Sequence, residues 1–208
     1  MDVHSQRSVL QSGMVVLSLA LALLSSPALG EDLPGSEDPA DLARYPDSQI
    51  IHYLPTGYRE YRLDYDGGWG KTKTIEGDVT RAVYLVPAGS TSLSVFRYYE
   101  HVLSSVGLKR TFELGSKSVS TIDSYFFEQF FFGPESYDAS APSSLYKYCQ
   151  SADFPYYASY SGVIDGRNAT VAILVGQSGD MSWVEPMQSE IPIQKDQAVV
   201  SVDVVFPS

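Results

Sequence analysis

The sequence predicts an α+β fold, a largely antiparallel sheet covered by one main helix. Three observations lead there. Runs with two-residue alternation outnumber runs with helical spacing. One segment, about residues 92–106, has a helical period with signals at both ends. An Asp-Gly pair joins two strand-like runs in the second half of the chain.

The elements follow in order. Tyr58 to Tyr65 alternates, with Tyr61, Leu63 and Tyr65 on one face and Glu60, Arg62 and Asp64 on the other, as in a half-exposed strand. Asp66-Gly67-Gly68-Trp69-Gly70 turns the chain, and Val79 to Val86 makes a second strand that stops at Pro87. In the helix, Phe96, Tyr99, Leu103 and Val106 share a face with Val95 and Val102. Ser90 or Thr91 can accept a bond from the unpaired amides at its start. At its end Gly107 suits a left-handed residue, which lets Leu108 touch Leu103.

Leu108 to Leu114 and Tyr125 to Phe132 read as strands, the latter apolar on both faces as a central strand would be. A short second helix is expected at about 142–150. Tyr157 to Ile164 and Ala169 to Val175 form a hairpin through Asp165-Gly166. In the last strand, Val199 to Phe206, the residues Val200, Val202, Val204 and Phe206 face in, while Ser201 and Asp203 face solvent. These elements make a single α+β domain over residues 49–208. Residues 31–48, acidic and holding three prolines, read as a linker leading into it.

Residues 1–30 have the pattern of a secretory signal peptide. Arg7 precedes an apolar run from Met14 to Leu24, and Ala28-Leu29-Gly30 offers small residues for cleavage. The run is too short to span a bilayer, which takes roughly 20 residues, and no transmembrane segment follows in the mature chain. The expectation is an exported protein.

Composition narrows the function. The 208 residues carry a formal charge of −11, with 14 Lys+Arg against 25 Asp+Glu, which argues against a nucleic-acid partner. Fifteen Tyr and nine Phe supply material for a core, so the chain is not intrinsically disordered. Cys149 is the one cysteine, so no internal disulfide forms, and it reads as a small hydrophobe.

The motif-like fragments are weak. Asp66 to Thr72 ends like a phosphate-binding loop, but Tyr65 stands where the first Gly is needed. Asp64 and Asp66 open like a calcium loop without the later acidic ligands, and His52 and His101 lack the neighbours that zinc requires. Gly176-Gln177-Ser178-Gly179 has its second Gly one place early for a nucleophile elbow. Asn168-Ala169-Thr170 fits a glycosylation pattern that matters in a eukaryotic secretory route. No catalytic, cofactor or metal residue is assigned. Aromatic density is the remaining signal: Tyr156, Tyr157 and Tyr160, with Arg97 on the helix's outer side, are candidate partner-binding residues, and strand packing is the alternative for the tyrosines.

The stretches Leu42 to Ile51, Glu60 to Leu63, Glu76 to Arg81, Tyr84 to Gly89 and Val95 to Glu100 together resemble a domain of unknown function of exported bacterial proteins. That domain often precedes an OmpA-like peptidoglycan-binding domain, which these 208 residues do not include. The resemblance spans roughly residues 40–206 and implies a Gram-negative envelope protein in the periplasm or on the periplasmic face of the outer membrane. It implies no catalytic residues. The expected function is a non-enzymatic interaction domain for an envelope protein or glycan. The alternatives are an envelope glycan hydrolase with a cross-cleft carboxylate pair and a structural accessory protein of the outer membrane.

Overall fold

The computed structural model describes residues 30–64, 72–115, 145, 152–179 and 193–208. Six strands form one antiparallel sheet: β1 (Gln49–Asp64), β2 (Thr72–Leu85), β3 (Lys109–Leu114), β4 (Ala152–Ile164), β5 (Arg167–Ser178) and β6 (Ala198–Pro207). They lie side by side as β1-β2-β6-β5-β4-β3. Helix α1 (Ser92–Ser105) leaves the end of β2 and carries the chain over β6, β5 and β4 to the far edge. Among the described residues this is an α+β fold dominated by strands, with one covering helix.

Both ends of α1 have the chemistry their residues suggest. The Thr91 hydroxyl accepts a bond from the Ser94 amide at 3.2 Å. Gly107 is left-handed, with φ 84. The Leu108 amide bonds the Leu103 carbonyl and the Gly107 amide bonds the Ser104 carbonyl, both at 3.0 Å, which is the Schellman pattern. The helix buries Ser92, Val95, Phe96, Tyr99, Val102 and Leu103. Val106, expected on that stripe, is instead 48% exposed. The helix ends one residue before it, and Leu108 swings in to take the buried place.

The hairpin between β4 and β5 turns on Asp165 and Gly166, with φ 50 and 75, the two positive values a two-residue type I′ turn needs. Tyr61 and Leu63 are buried while Glu60 and Arg62 are not, as their alternation predicts. The strand expected at 125–132, Cys149, the glycine loop at 66–70 and the signal-peptide segment 1–29 lie outside the described residues. So does the second helix, apart from Leu145, which is helical and wholly buried.

Residues 31–48, expected as a linker leading into the domain, are instead packed on it. They fold back against the start of β1 and over the helix side of the sheet. The Leu33 amide bonds the Ile50 carbonyl, and the Ile50 amide bonds the Asp32 carboxylate at 2.8 Å. Arg44 grips Asp32 at 2.6 Å and Asp38 at 2.8 Å. Asp38 in turn accepts from the Tyr84 hydroxyl, and the Tyr98 hydroxyl donates to the Arg44 carbonyl. Acidic residues and prolines gave this stretch the look of a linker. Arg44, Leu42 and a layer of tyrosines from β2 and α1 hold it down.

The structure corrects the reading of β6. Ser201 and Asp203 alternate with valines yet are completely buried. The sheet is covered on both faces. Under α1 lie Val200, Val202, Val204, Ile173, Tyr84 and Tyr160. On the opposite face, Val199, Val205, Leu174, Val83, Tyr61, Tyr157, Leu145 and Ile193 form a second core. Ser201 and Asp203 belong to that second face.

Candidate functional site

Three places bring chemistry-bearing side chains together. The first is the buried cluster around Asp203. Its register opposite Arg81 on β2 lets the guanidinium approach edge-on. Arg81 Nε donates to Asp203 Oδ1 at 2.8 Å and Nη2 to Oδ2 at 2.5 Å. Ser201 Oγ also donates to Oδ1, at 3.0 Å, and the Tyr61 hydroxyl donates to Oδ2 at 2.8 Å. Four donors fill the roughly four lone-pair positions of a carboxylate. Burial alone would disfavour the Arg81 cation, but Asp203 outweighs it and holds the guanidinium more firmly protonated than usual. Burial, then the Asp203 charge, pushes the Tyr61 phenol well up, so it stays a neutral donor. A carboxylate so committed has no lone pair left for a substrate proton, and its role is to fasten β1, β2 and β6 together.

The second place is the outer side of α1, where the sequence puts Arg97. Arg97 is exposed and pairs with Glu100 at 2.5 Å; Arg110 also pairs with Glu100 and reaches Glu113 at 2.5 Å. The Arg97 guanidinium lies 5.8 Å from the Phe96 ring centre, and Tyr156 stacks on Phe96 at 5.2 Å. The three candidate tyrosines do not form one surface. Tyr156 is half-buried against Phe96, and Tyr160 is wholly buried under α1. Burial, followed by the Glu100 charge, pushes the Tyr160 phenol up to about 12. Tyr157, one position on from Tyr156, is buried on the opposite face beside Phe112. Alternation along β4 separates residues that are close in sequence.

Among the described residues, the two outermost strands of the sheet are guarded. β1 is broken by bulges at Ile50/His52 and Leu54/Gly57, the second holding Pro55. β3 is six residues long and carries Lys109, Arg110 and Glu113. Both devices discourage pairing with another strand.

The third place is an open cleft of about 310 Å³ at the C-terminal end of α1. Three segments line it: Ala40, Asp41 and Leu42; Val106; and Val163, Ile164 and Asp165. Leu42 and Ile164 are buried at its base, while Val106 and Val163 stay 48% and 56% exposed. Large exposed hydrophobics elsewhere among the described residues are Leu33, Tyr58 and Leu93, so two of five share this hollow. Ala40, Asp41 and Asp165 all have left-handed backbones, with φ of 53, 53 and 50, which short polar side chains tolerate better than alanine. Sequence reasoning missed the cleft. Val106 scored as core by its spacing, and Val163 and Leu42 belong to segments far apart in the chain.

The remaining fragments fall away. Ser178 ends β5 in strand conformation, and its hydroxyl donates to the Gln194 carbonyl, so no strained nucleophile turn forms. His52 is buried in β1 and His101 is exposed on α1. Among the described residues no three metal-ligating side chains converge, and no helix is long and apolar enough to cross a membrane. No protein-family model matches the chain, and no curated protein matches it.

Proposed function

We propose that the chain is a non-enzymatic interaction domain of a bacterial cell envelope, exported to the periplasm or the periplasmic face of the outer membrane. There it holds an envelope protein or glycan. The observation that carries the binding role is the cleft: exposed Val106 and Val163 over a buried Leu42 and Ile164 base. Exposed apolar side chains that share one hollow suit a recognition surface. The saturated Asp203 supports the same reading, because this carboxylate, wholly buried among the described residues, fastens strands. Export rests on the pattern of residues 1–30 and on the resemblance to an envelope domain.

One observation favours a second reading, glycan hydrolysis. Asp41 and Asp165 both line the cleft, and hydrolysis would draw on two carboxylates in one cleft. Crosslinking in envelope fractions, followed by identification of the captured species, tests the first reading. One reproducible partner is expected; none above an unrelated exported control overturns it. Purified chain that releases sugar from envelope glycan, with the activity lost in Asp41→Asn, establishes the second reading instead.

A further inference from the structure

We infer that the cleft takes a basic segment of an envelope protein that carries Lys or Arg beside apolar side chains; this rests on the interaction reading above and names its occupant. The base of the cleft, Leu42 and Ile164 with the exposed flanks of Val106 and Val163, asks for apolar side chains. A volume of about 310 Å³ holds one or two of them, not a folded domain.

The sign of the charge comes from three sources that act together. Asp41 and Asp165 both line the cleft and are exposed. Val106 is the C-terminal cap of α1, so the negative end of the helix dipole opens beside the cleft. The whole chain adds a formal charge of −11. Lys and Arg suit such a place, because their stems cover apolar surface while their heads reach carboxylates at the rim. An acidic peptide or an anionic sugar would meet like charge at Asp41 and Asp165. Arg167 is engaged 3.7 Å over the Phe206 ring, and Lys109 opens β3. Neither lines the cleft. The walls are also firm, since a Schellman ending and a two-residue hairpin turn hold Val106 and Asp165. Little ordering is left to oppose binding.

The test uses the full chain and three fluorescein-labelled hexapeptides, (Lys-Leu)₃, (Glu-Leu)₃ and (Lys-Ser)₃, with anisotropy for affinity and methyl NMR for location. The expected result is binding of (Lys-Leu)₃ about tenfold or more tighter than either control, with shifts at the Val106 and Val163 methyls. Asp41→Asn with Asp165→Asn, a change that left-handed positions accept, should weaken binding about tenfold and flatten its salt dependence. Val163→Ser should weaken it with an unchanged urea midpoint. Equal affinity for (Glu-Leu)₃, shifts confined to other residues, or variants that bind like wild type each overturn the assignment. A partner crosslinked equally by wild type and Val163→Ser rejects the cleft while leaving the interaction reading standing. A wild type that captures no partner rejects that reading whatever the peptides do.

Discussion

Beneath α1, Phe96, Leu103, Ile173, Val202 and Ala82 meet one another as apolar surface, and the polar groups at the border belong to tyrosines that hold residues 30–48. On the opposite face, Val199, Leu174 and Val83 surround an ion pair, Arg81 and Asp203, with Tyr61 and Ser201 attached. One face is closed by a helix whose pattern is complete within fourteen residues. The other holds charges from strands far apart in sequence, which become compatible with burial through each other. The difference shows that alternation reports which residues share a face, and leaves open whether that face meets water.

The ion pair offers the largest effect. Asp203→Ala leaves the Arg81 charge buried without its partner, which should cost about 3–5 kcal/mol in a urea melt. Replacing both, Arg81→Met with Asp203→Leu, should recover most of that loss, because desolvation of two charges disappears along with their attraction. A single-variant cost below about 1 kcal/mol would mean that Asp203 is solvated, and the contrast between the faces would collapse.

The apolar face should respond to Leu103→Ala by about 2–5 kcal/mol, the transfer loss plus a partial cavity under α1. No double substitution of the kind that rescues the ion pair is expected here, since no charge is stranded. A midpoint equal to wild type would refute the packing of α1 on β4, β5 and β6.

How far the sequence discloses this molecule follows the same contrast. Helix α1 is legible to its caps, because Thr91, Gly107 and Leu108 act on backbone groups within a few residues. The hairpin at Asp165-Gly166 is legible for the same reason. Ser201 and Asp203 are misread as solvent-facing because their partners, Arg81 and Tyr61, sit more than a hundred residues away. Residues 30–48 are misread because Arg44 must be known to reach Asp32 and Asp38 before their acidity becomes adhesive. Arg97 was found where expected, on an exposed helix face. The cleft could not be found, since its walls come from three separate segments.

The clamp on residues 30–48 should give a smaller effect with a pH signature. Arg44→Met should cost about 1 kcal/mol at neutral pH, since all three charged groups are partly exposed. Burial would raise the Asp32 carboxyl, but the Ile50 amide and Arg44 outweigh it and hold it below its ordinary value of 3.8. A depressed folded value stabilises fully above the unfolded pKa, and that contribution is lost as pH falls through the folded one. Wild type should therefore lose part of its stability below about pH 4. Arg44→Met should lose less there, and parallel acid limbs for the two proteins would exclude Asp32 as a contributor.

Arg97→Ala should have the smallest effect of all, within about 0.5 kcal/mol. Its side chain is 58% exposed, so water screens its pairing with Glu100. Glu100 keeps Arg110 after the substitution, so no carboxylate is stranded as it would be on the buried face. Phe96 is wholly buried and stays stacked on Tyr156, which leaves the removed guanidinium little packing to take with it. The urea midpoint should therefore match wild type, and crosslinking in envelope fractions should capture the same species. A folded Arg97→Ala protein that loses its partner, while Val163→Ser keeps it, would move recognition from the cleft at the end of α1 to the helix's outer side. The ladder of Arg97, Glu100, Arg110 and Glu113 would then be an interface, with its ion pairs exchanged for a partner's charges on binding.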